Sequence, residues 1–272
     1  MTRPCLLVIL LTVFACEDEP EKKTYAKFEI ASPELNKTKT IWIYLPAAYG
    51  NEALSFPVIY MQDAQWIFEA NANYSQEMHV DETLRELEQS GFDGAIVVGI
   101  ESDEATRADD FSLYYNRELR AGGSGKAYLD FIVHTLKPKI DAEYRTKADR
   151  DHTHIMGASL GGLICFYALT EYGQVFGRAG MFSAALHFNL DSVVQKAARR
   201  EIRNDARIFA VVGEGEHNNE VDFVKDNALL FEILNGKGTP PDQFQLVIHA
   251  DGEHKIWFWE REFPHAIDFL FR

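Results

Sequence analysis

The sequence predicts an α/β fold: a mostly parallel central sheet with helices on both faces and no separate lid domain. Three observations lead there. Short apolar runs alternate with helical patterns along the chain, and such alternation builds parallel sheets covered on both sides. Several runs are continuously apolar, as strands buried on both faces must be. The chain has 272 residues, 46% of them hydrophobic, enough for one large core.

The elements follow in order. Lys27–Ala31 and Thr40–Leu45 read as an edge hairpin, because Ile41, Ile43 and Leu45 alternate with Trp42 and Tyr44. Phe56–Met61 and Gly94–Ile100 are unbroken apolar runs and read as central strands. Helical patterns cover Gln76–Gln89 and Gly125–Glu143. A strand at Thr153–Ala158 leads into an apolar helix. After it come a strand at Ala179–Phe182, a helix near Leu190–Arg203, a strand at Arg207–Val212 and a helix near Val221–Asn235. A strand at Gln243–His249 and a terminal helix near Glu260–Arg272 complete the series. No internal repeat interrupts it.

Charge and cysteine usage exclude several classes. A net charge of −15 repels phosphate backbones, which argues against nucleic acid as a partner. No apolar span long enough to cross a bilayer lies in the body of the chain. Of the three cysteines, Cys5 and Cys16 lie at the N-terminus, which leaves Cys165 alone and rules out a disulfide scaffold. Its apolar neighbours make it core filler.

The first residues form a different kind of segment. Arg3 precedes the apolar run Cys5–Ala15, and Cys16 is followed at once by Glu17-Asp18-Glu19. That is the pattern of a secretory signal. Val13-Phe14-Ala15-Cys16 also resembles a bacterial lipobox, with Phe14 where a small residue is usual. The expected organisation is a lipoprotein-type signal peptide over 1–15, Cys16 as the lipidated mature N-terminus, an acidic tether over 16–26 and one domain over 27–272. The protein is then expected in the bacterial cell envelope, periplasmic or on the outer membrane, touching membrane only through the lipid on Cys16.

The most specific motif is Gly157-Ala158-Ser159-Leu160-Gly161, between a strand and a helix. A Gly-x-Ser-x-Gly in that setting is a nucleophile elbow: the turn lifts Ser159 clear of the sheet, and the helix start supplies N–H groups for an oxyanion. The flanking glycines leave room for the turn. A serine nucleophile needs a base, and the base needs a carboxylate. In hydrolases with this elbow the chain order is serine, acid, histidine. His254, in a polar turn after the strand ending at His249, is the candidate base. The acid should follow the strand Arg207–Val212, which singles out Glu216, with Glu214 as the alternative. For the oxyanion, one donor is the amide of Leu160. The second is the amide of Ala64 or Gln65, in the loop after Met61, where Asp63 is placed to brace the turn. Candidate substrate contacts are Trp66, Tyr115 in the loop Asp109–Asn116, and Trp257, although aromatics such as Phe188, Trp257 and Trp259 more often pack a helix. No metal or other cofactor is expected. His152-x-His154 lacks a third ligand nearby and reads as a hydrogen-bonding pair at a strand edge.

These motifs together resemble the Putative esterase family of α/β hydrolases, which includes esterase D, enterochelin esterases, feruloyl esterases and mycolyltransferases. The likeness runs from about Tyr25 to the C-terminus. It is carried by Val58–Gln65, where Ala64 replaces a glycine, by Gly122-Gly123 with Tyr128–Ile132 and Leu136–Asp141, and by Tyr144-Arg145-Thr146. Gly157–Gly162, Val175-Phe176-Gly177 with Phe182-Ser183, and Asp251–His254 with Trp259 and Phe263-Pro264 complete it. The family's acid maps onto Glu216, where several relatives carry aspartate. The resemblance implies an α/β-hydrolase fold and a serine carboxylic-ester hydrolase working through an acyl-enzyme on Ser159. Its substrate would be a small-molecule or glycan ester, such as a carbohydrate or phenolic (feruloyl or acetyl) ester. A siderophore lactone esterase, an acyltransferase with the same triad and a non-catalytic binding protein on this fold are the alternatives.

Overall fold

The computed structural model describes residues 24–70, 76–199, 201–217, 221–236, 240 and 242–272. The signal peptide, Cys16 and most of the acidic tether lie outside the described residues.

The strands are β1 (Tyr25–Ser32), β2 (Lys37–Tyr44), β3 (Val58–Gln62), β4 (Ile96–Ile100), β5 (Thr153–Ala158), β6 (Arg178–Phe182), β7 (Arg207–Gly213) and β8 (Phe244–His249). They form one sheet in the order β1-β2-β4-β3-β5-β6-β7-β8. The β1–β2 and β2–β4 pairs are antiparallel and all others parallel. This is the α/β-hydrolase arrangement the sequence predicts. The reversal of strand order around β3 and β5 makes a switch point, and ligands of such sheets bind beyond the carboxyl ends of the strands there.

Alternation along each strand sends side chains to opposite faces. Val58, Tyr60, Ile96, Val98 and Ile155 enter one core cluster with α3 (Gly125–Asp130), α4 (Lys137–Glu143), α5 (Leu160–Glu171), α6 (Leu190–Ala198) and α7 (Phe223–Asn235). Ile59, Met61, Val97, Met156 and Phe209 enter the other, covered by α1 (Val80–Gln89) and α8 (Ile256–Phe271). A short α2 (Arg107–Asp110) follows β4.

The helix boundaries depart most from the sequence expectation at four places. The first helix starts at Val80 rather than Gln76, because Met78 and Val80 donate their amides to Trp66 and Ile67 and hold the chain in the β3 loop. The predicted helix Gly125–Glu143 is continuous but passes through a π-helical turn at Phe131–Leu136. Pro138, at the start of α4, has no N–H to donate, and its ring crowds the carbonyl four residues back, so the turn ahead of it widens. The predicted helix near Leu190–Arg203 ends at Ala198. The terminal helix starts at Ile256, four residues early, which puts Trp257 and Trp259 in its first turn.

The histidines of the β5 edge are structural. The exposed His152 bonds Asp149 (Nδ1 to Oδ1, 2.8 Å), while the buried His154 meets the Asp151 carbonyl at 3.2 Å and packs on Phe271. Burial, helped by the nearby charge of Arg178, lowers the His154 pKa from 6.5 to about 3. The unfolded chain therefore takes up a proton first as pH falls. This part of the stability is complete above pH 6.5 and is lost progressively towards pH 3. A His154→Gln variant should show a urea midpoint that changes less between pH 7 and pH 5 than the wild type's; equal slopes would rule out this residue as the source.

Candidate active site

β5 ends at Ala158, and α5 begins at Leu160. Ser159 alone makes the turn between them, at φ 59° and ψ −123°. A non-glycine residue in that region costs of order 1–3 kcal/mol, so surrounding contacts must impose it. They are plain. The Ser159 amide donates to Phe182 O (2.9 Å), and its carbonyl accepts from Gly162 N (3.0 Å) and Ala185 N (3.0 Å). A Cβ on Gly157 would lie 2.7 Å from the backbone of Gly161, so only glycine lets strand and helix approach this closely.

Two loops beyond neighbouring strands bring the other members of the site. After β7 the chain turns at Gly213, and after β8 at Gly252. These backbones touch: a Cβ on Gly213 would sit 2.1 Å from the Gly252 carbonyl carbon. Gly215 N donates to Gly252 O (3.0 Å) and Glu214 N to His249 O (2.9 Å), so the loops are laced together. Glu216 emerges from one and His254 from the other. His254 Nδ1 lies 2.9 Å from Glu216 Oε2, and its Nε2 lies 3.0 Å from Ser159 Oγ. The Glu216 carboxylate is fully buried and accepts from Gly213 N (2.8 Å) and Ser183 Oγ (2.7 Å), whereas the imidazole is one-third exposed. Glu214, the alternative acid, is exposed, and the carboxylate that meets His254 is that of Glu216.

Aromatic rings frame the imidazole. Phe223, the first residue of α7, lies 4.6 Å from the His254 ring, and Trp259 lies edge-on at 5.2 Å. His187 packs on the other edge of this group, 5.0 Å from Phe223. Burial, with the nearby His254, lowers the His187 pKa and favours its neutral form. Neither Phe223 nor His187 stands out in the sequence; each opens or precedes a helix, and only the fold turns them towards His254.

The two expected oxyanion segments are adjacent. Leu160 opens α5, where the first N–H groups have no partner within the helix. Ala64 and Gln65 are buried in a 3₁₀ turn that follows Asp63, itself left-handed at φ 60°. A Cβ on Gly161 would lie 3.4 Å from Asp63 Oδ2, which shows how near this turn comes to the helix start. The turn is fixed from outside. Gln65 exchanges hydrogen bonds with Ser102 (2.8 and 3.2 Å), and Ser102 Oγ donates to Asp63 Oδ1 (2.6 Å). Arg107 donates to both Asp63 oxygens (2.7 and 2.9 Å) and to Ala158 O (3.3 Å). It thus ties the β3 loop to the elbow. Sequence reasoning missed Arg107, which looks like one more charge in a polar stretch.

Of the aromatic candidates, Trp66 lies under the Arg107 guanidinium (5.0 Å). Tyr115 is 57% exposed, at the tip of the loop after α2. Trp257 faces Phe258 (5.8 Å) and Arg261 (5.3 Å), and Trp259 is the residue of that turn that reaches His254.

Sheet order, elbow and the three-residue contact define an α/β hydrolase with a serine–histidine–carboxylate arrangement at the sheet's carboxyl edge. Residues 32–267 match the sequence model of the family described as Putative esterase. The chain belongs to that family and is a carboxylic ester hydrolase. Among curated proteins it is similar to the uncharacterized protein YbbA of Bacillus subtilis (strain 168), 25% identical over 239 residues, covering 84% of this chain and 91% of the relative. Among solved structures it is similar to a ferulic acid esterase, with a TM-score of 0.69 at 18% identity, covering 90% of this chain and 97% of that one. It is also similar to the enterobactin esterase of Shigella flexneri, with a TM-score of 0.75 at 19% identity. That match covers 94% of this chain but 60% of the other, so the present chain spans about three fifths of it. At these identities the two structural likenesses are ones of fold.

Arg107→Met would leave the buried Asp63 carboxylate without its counter-charge, and such losses run to about 3–5 kcal/mol. The expected outcome is a fall of that order in urea-unfolding free energy, partly restored by the double variant Arg107→Met/Asp63→Asn. An additive pair of losses would show that the two side chains act separately.

Proposed function

We propose that the protein is a serine esterase that works through an acyl-enzyme on Ser159. The observation that carries this reading is the continuous contact from Ser159 Oγ to His254 Nε2 (3.0 Å) and from His254 Nδ1 to Glu216 (2.9 Å). Ser159 Oγ attacks the ester carbonyl while His254 Nε2 takes its proton. The tetrahedral oxyanion is held by the amide of Leu160 and by that of Ala64 or Gln65. His254 then returns the proton to the departing alcohol, and water repeats the sequence to release the acid. Glu216 holds the imidazole and stabilises its charged form in both halves.

The substrate is a small-molecule ester, and we assign it to the carbohydrate or phenolic class, feruloyl or acetyl. The wall beside the site supports this. Phe223 and His187, packed beside His254, offer flat faces and a polar tip to a ring. The fold shared with the ferulic acid esterase agrees with it. A lactone of the siderophore type is the second reading, favoured by the likeness to the enterobactin esterase. The N-terminal pattern ending at Cys16 supports a lipoprotein of the bacterial envelope, with the acidic stretch as its tether.

Incubation with p-nitrophenyl acetate, methyl ferulate, acetylated sugars and a serine trilactone, followed by intact-mass measurement, tests the reading. An acyl adduct on Ser159 and a fall in kcat of about 10⁴-fold or more in Ser159→Ala are expected, with Glu216→Gln falling by about 10²–10⁴. Full turnover in Ser159→Ala would overturn it. Transfer of the acyl group to a sugar acceptor in preference to water would reassign the enzyme as an acyltransferase.

A further inference from the structure

We propose that Ser183 and Trp259 are positioning residues that set the direction of hydrogen bonding through the triad, and with it the tautomer of His254. This rests on reading Ser159, His254 and Glu216 as the working triad.

Ser183 follows β6, is fully buried, and has φ 47°. That left-handed backbone suits glycine and burdens other residues. A side chain kept there against the backbone preference points to a task for the hydroxyl. The Ser183 amide donates to Val211 O (2.7 Å), which anchors it beside the end of β7, from which the acid loop departs.

The Ser183 hydroxyl lies between two groups. Trp259 Nε1 is 2.8 Å from Ser183 Oγ, and Ser183 Oγ is 2.7 Å from Glu216 Oε1. An indole N–H only donates. Ser183 Oγ must therefore accept from Trp259 and aim its own hydrogen at Glu216. Gly213 N–H, another obligate donor, meets the same carboxylate oxygen at 2.8 Å. Glu216 Oε1 thus faces two donors and has no place for a proton of its own. Glu216 Oε2 remains for His254 Nδ1, at 2.9 Å. Two donors on one oxygen favour the charged carboxylate, whose Oε2 then accepts a hydrogen carried on Nδ1. The lone pair of His254 Nε2 then points at Ser159 Oγ, 3.0 Å away, as a general base requires.

Trp259 acts on both members of the pair. Its N–H polarises the Ser183 hydroxyl, while its ring stands edge-to-face on the imidazole, 5.2 Å away at 89°. The early start of α8 at Ile256 is what brings the indole there. Both residues are buried and act through Glu216 and His254.

The test compares Ser183→Ala, Ser183→Gly, Trp259→Phe and Ser183→Ala/Trp259→Phe, with Ser159→Ala as reference and p-nitrophenyl acetate as substrate. A lost hydrogen bond to a charged group corresponds to about a 10- to 100-fold fall in kcat, expected equally in Ser183→Ala and Ser183→Gly, with KM within about twofold. Ser183→Gly should melt no lower than Ser183→Ala, because glycine accepts the left-handed backbone, so lost activity follows the hydroxyl and not stability. Trp259→Phe should fall about 5- to 10-fold, and the double variant no further than Ser183→Ala alone, since the indole works through the hydroxyl. The downfield proton resonance of His254 Nδ1–H should weaken in both Ser183 variants. Wild-type kcat in Ser183→Gly, or losses that multiply in the double variant, would overturn the proposal. An inactive Ser159→Ala beside a fully active Ser183→Gly would reject this inference alone, whereas an active Ser159→Ala would reject the triad beneath it.

Discussion

The turn at Ser159 is the constraint on which the rest of the site depends. One residue must reverse the chain between a buried strand and a buried helix, in a conformation that an L-amino acid does not prefer. The energy to hold it comes from the surrounding packing. The carbonyl of Phe182, the amide of Ala185 and the close fit of Gly157 on Gly161 each remove a way for the turn to relax. β6 and the loop after it therefore brace β5, and the hydroxyl of Ser159 is presented at the edge where the sheet's other loops converge. A strained turn is also a fixed one, and a fixed hydroxyl needs little reorganisation to meet a base.

Two carboxylates are buried beside this turn, in a protein whose net charge is already −15. A buried charge is costly unless donors surround it. Asp63 is met by Arg107 and Ser102, and Glu216 by Gly213, Ser183 and His254. The two carry different loads. Asp63 organises the loop that carries the candidate second oxyanion donor, and its partner Arg107 reaches across to the carbonyl that precedes Ser159. Glu216 organises the imidazole. The loop side and the imidazole side of the site are thus each built around one satisfied anion, with Ser159 between them.

Much of the architecture is legible in the sequence because strand periodicity is a local property. Ile59 and Met61 face one core and Val58 and Tyr60 the other, and the apolar run shows this directly. The elbow is legible for a similar reason: its glycines are needed within four residues of the serine. Chain order and loop position then narrow the base to His254 and the acid to Glu216 or Glu214, and the fold brings His254 and Glu216 together with Ser159. Helix ends are less legible. Gln76–His79 has residues a helix could accept, but hydrogen bonds to the β3 loop claim two of the local amides. Trp257–Trp259 reads as a loop until the sheet beneath it buries Phe258 and Trp259 and draws them into α8.

By itself, the sequence determined the layer order, the strand-to-helix setting of Ser159 and a short set of candidate partners for it, because each element and each loop motif is written in residues close together along the chain. Only the tertiary structure decided which carboxylate meets the imidazole, that Phe223 and Trp259 frame it, and that Arg107 reaches both Asp63, 44 residues away in sequence, and the carbonyl of Ala158. Those contacts arise where separate strands end side by side. Their register follows from sheet pairing and from the near contact of Gly213 and Gly252, which no local pattern of residues records.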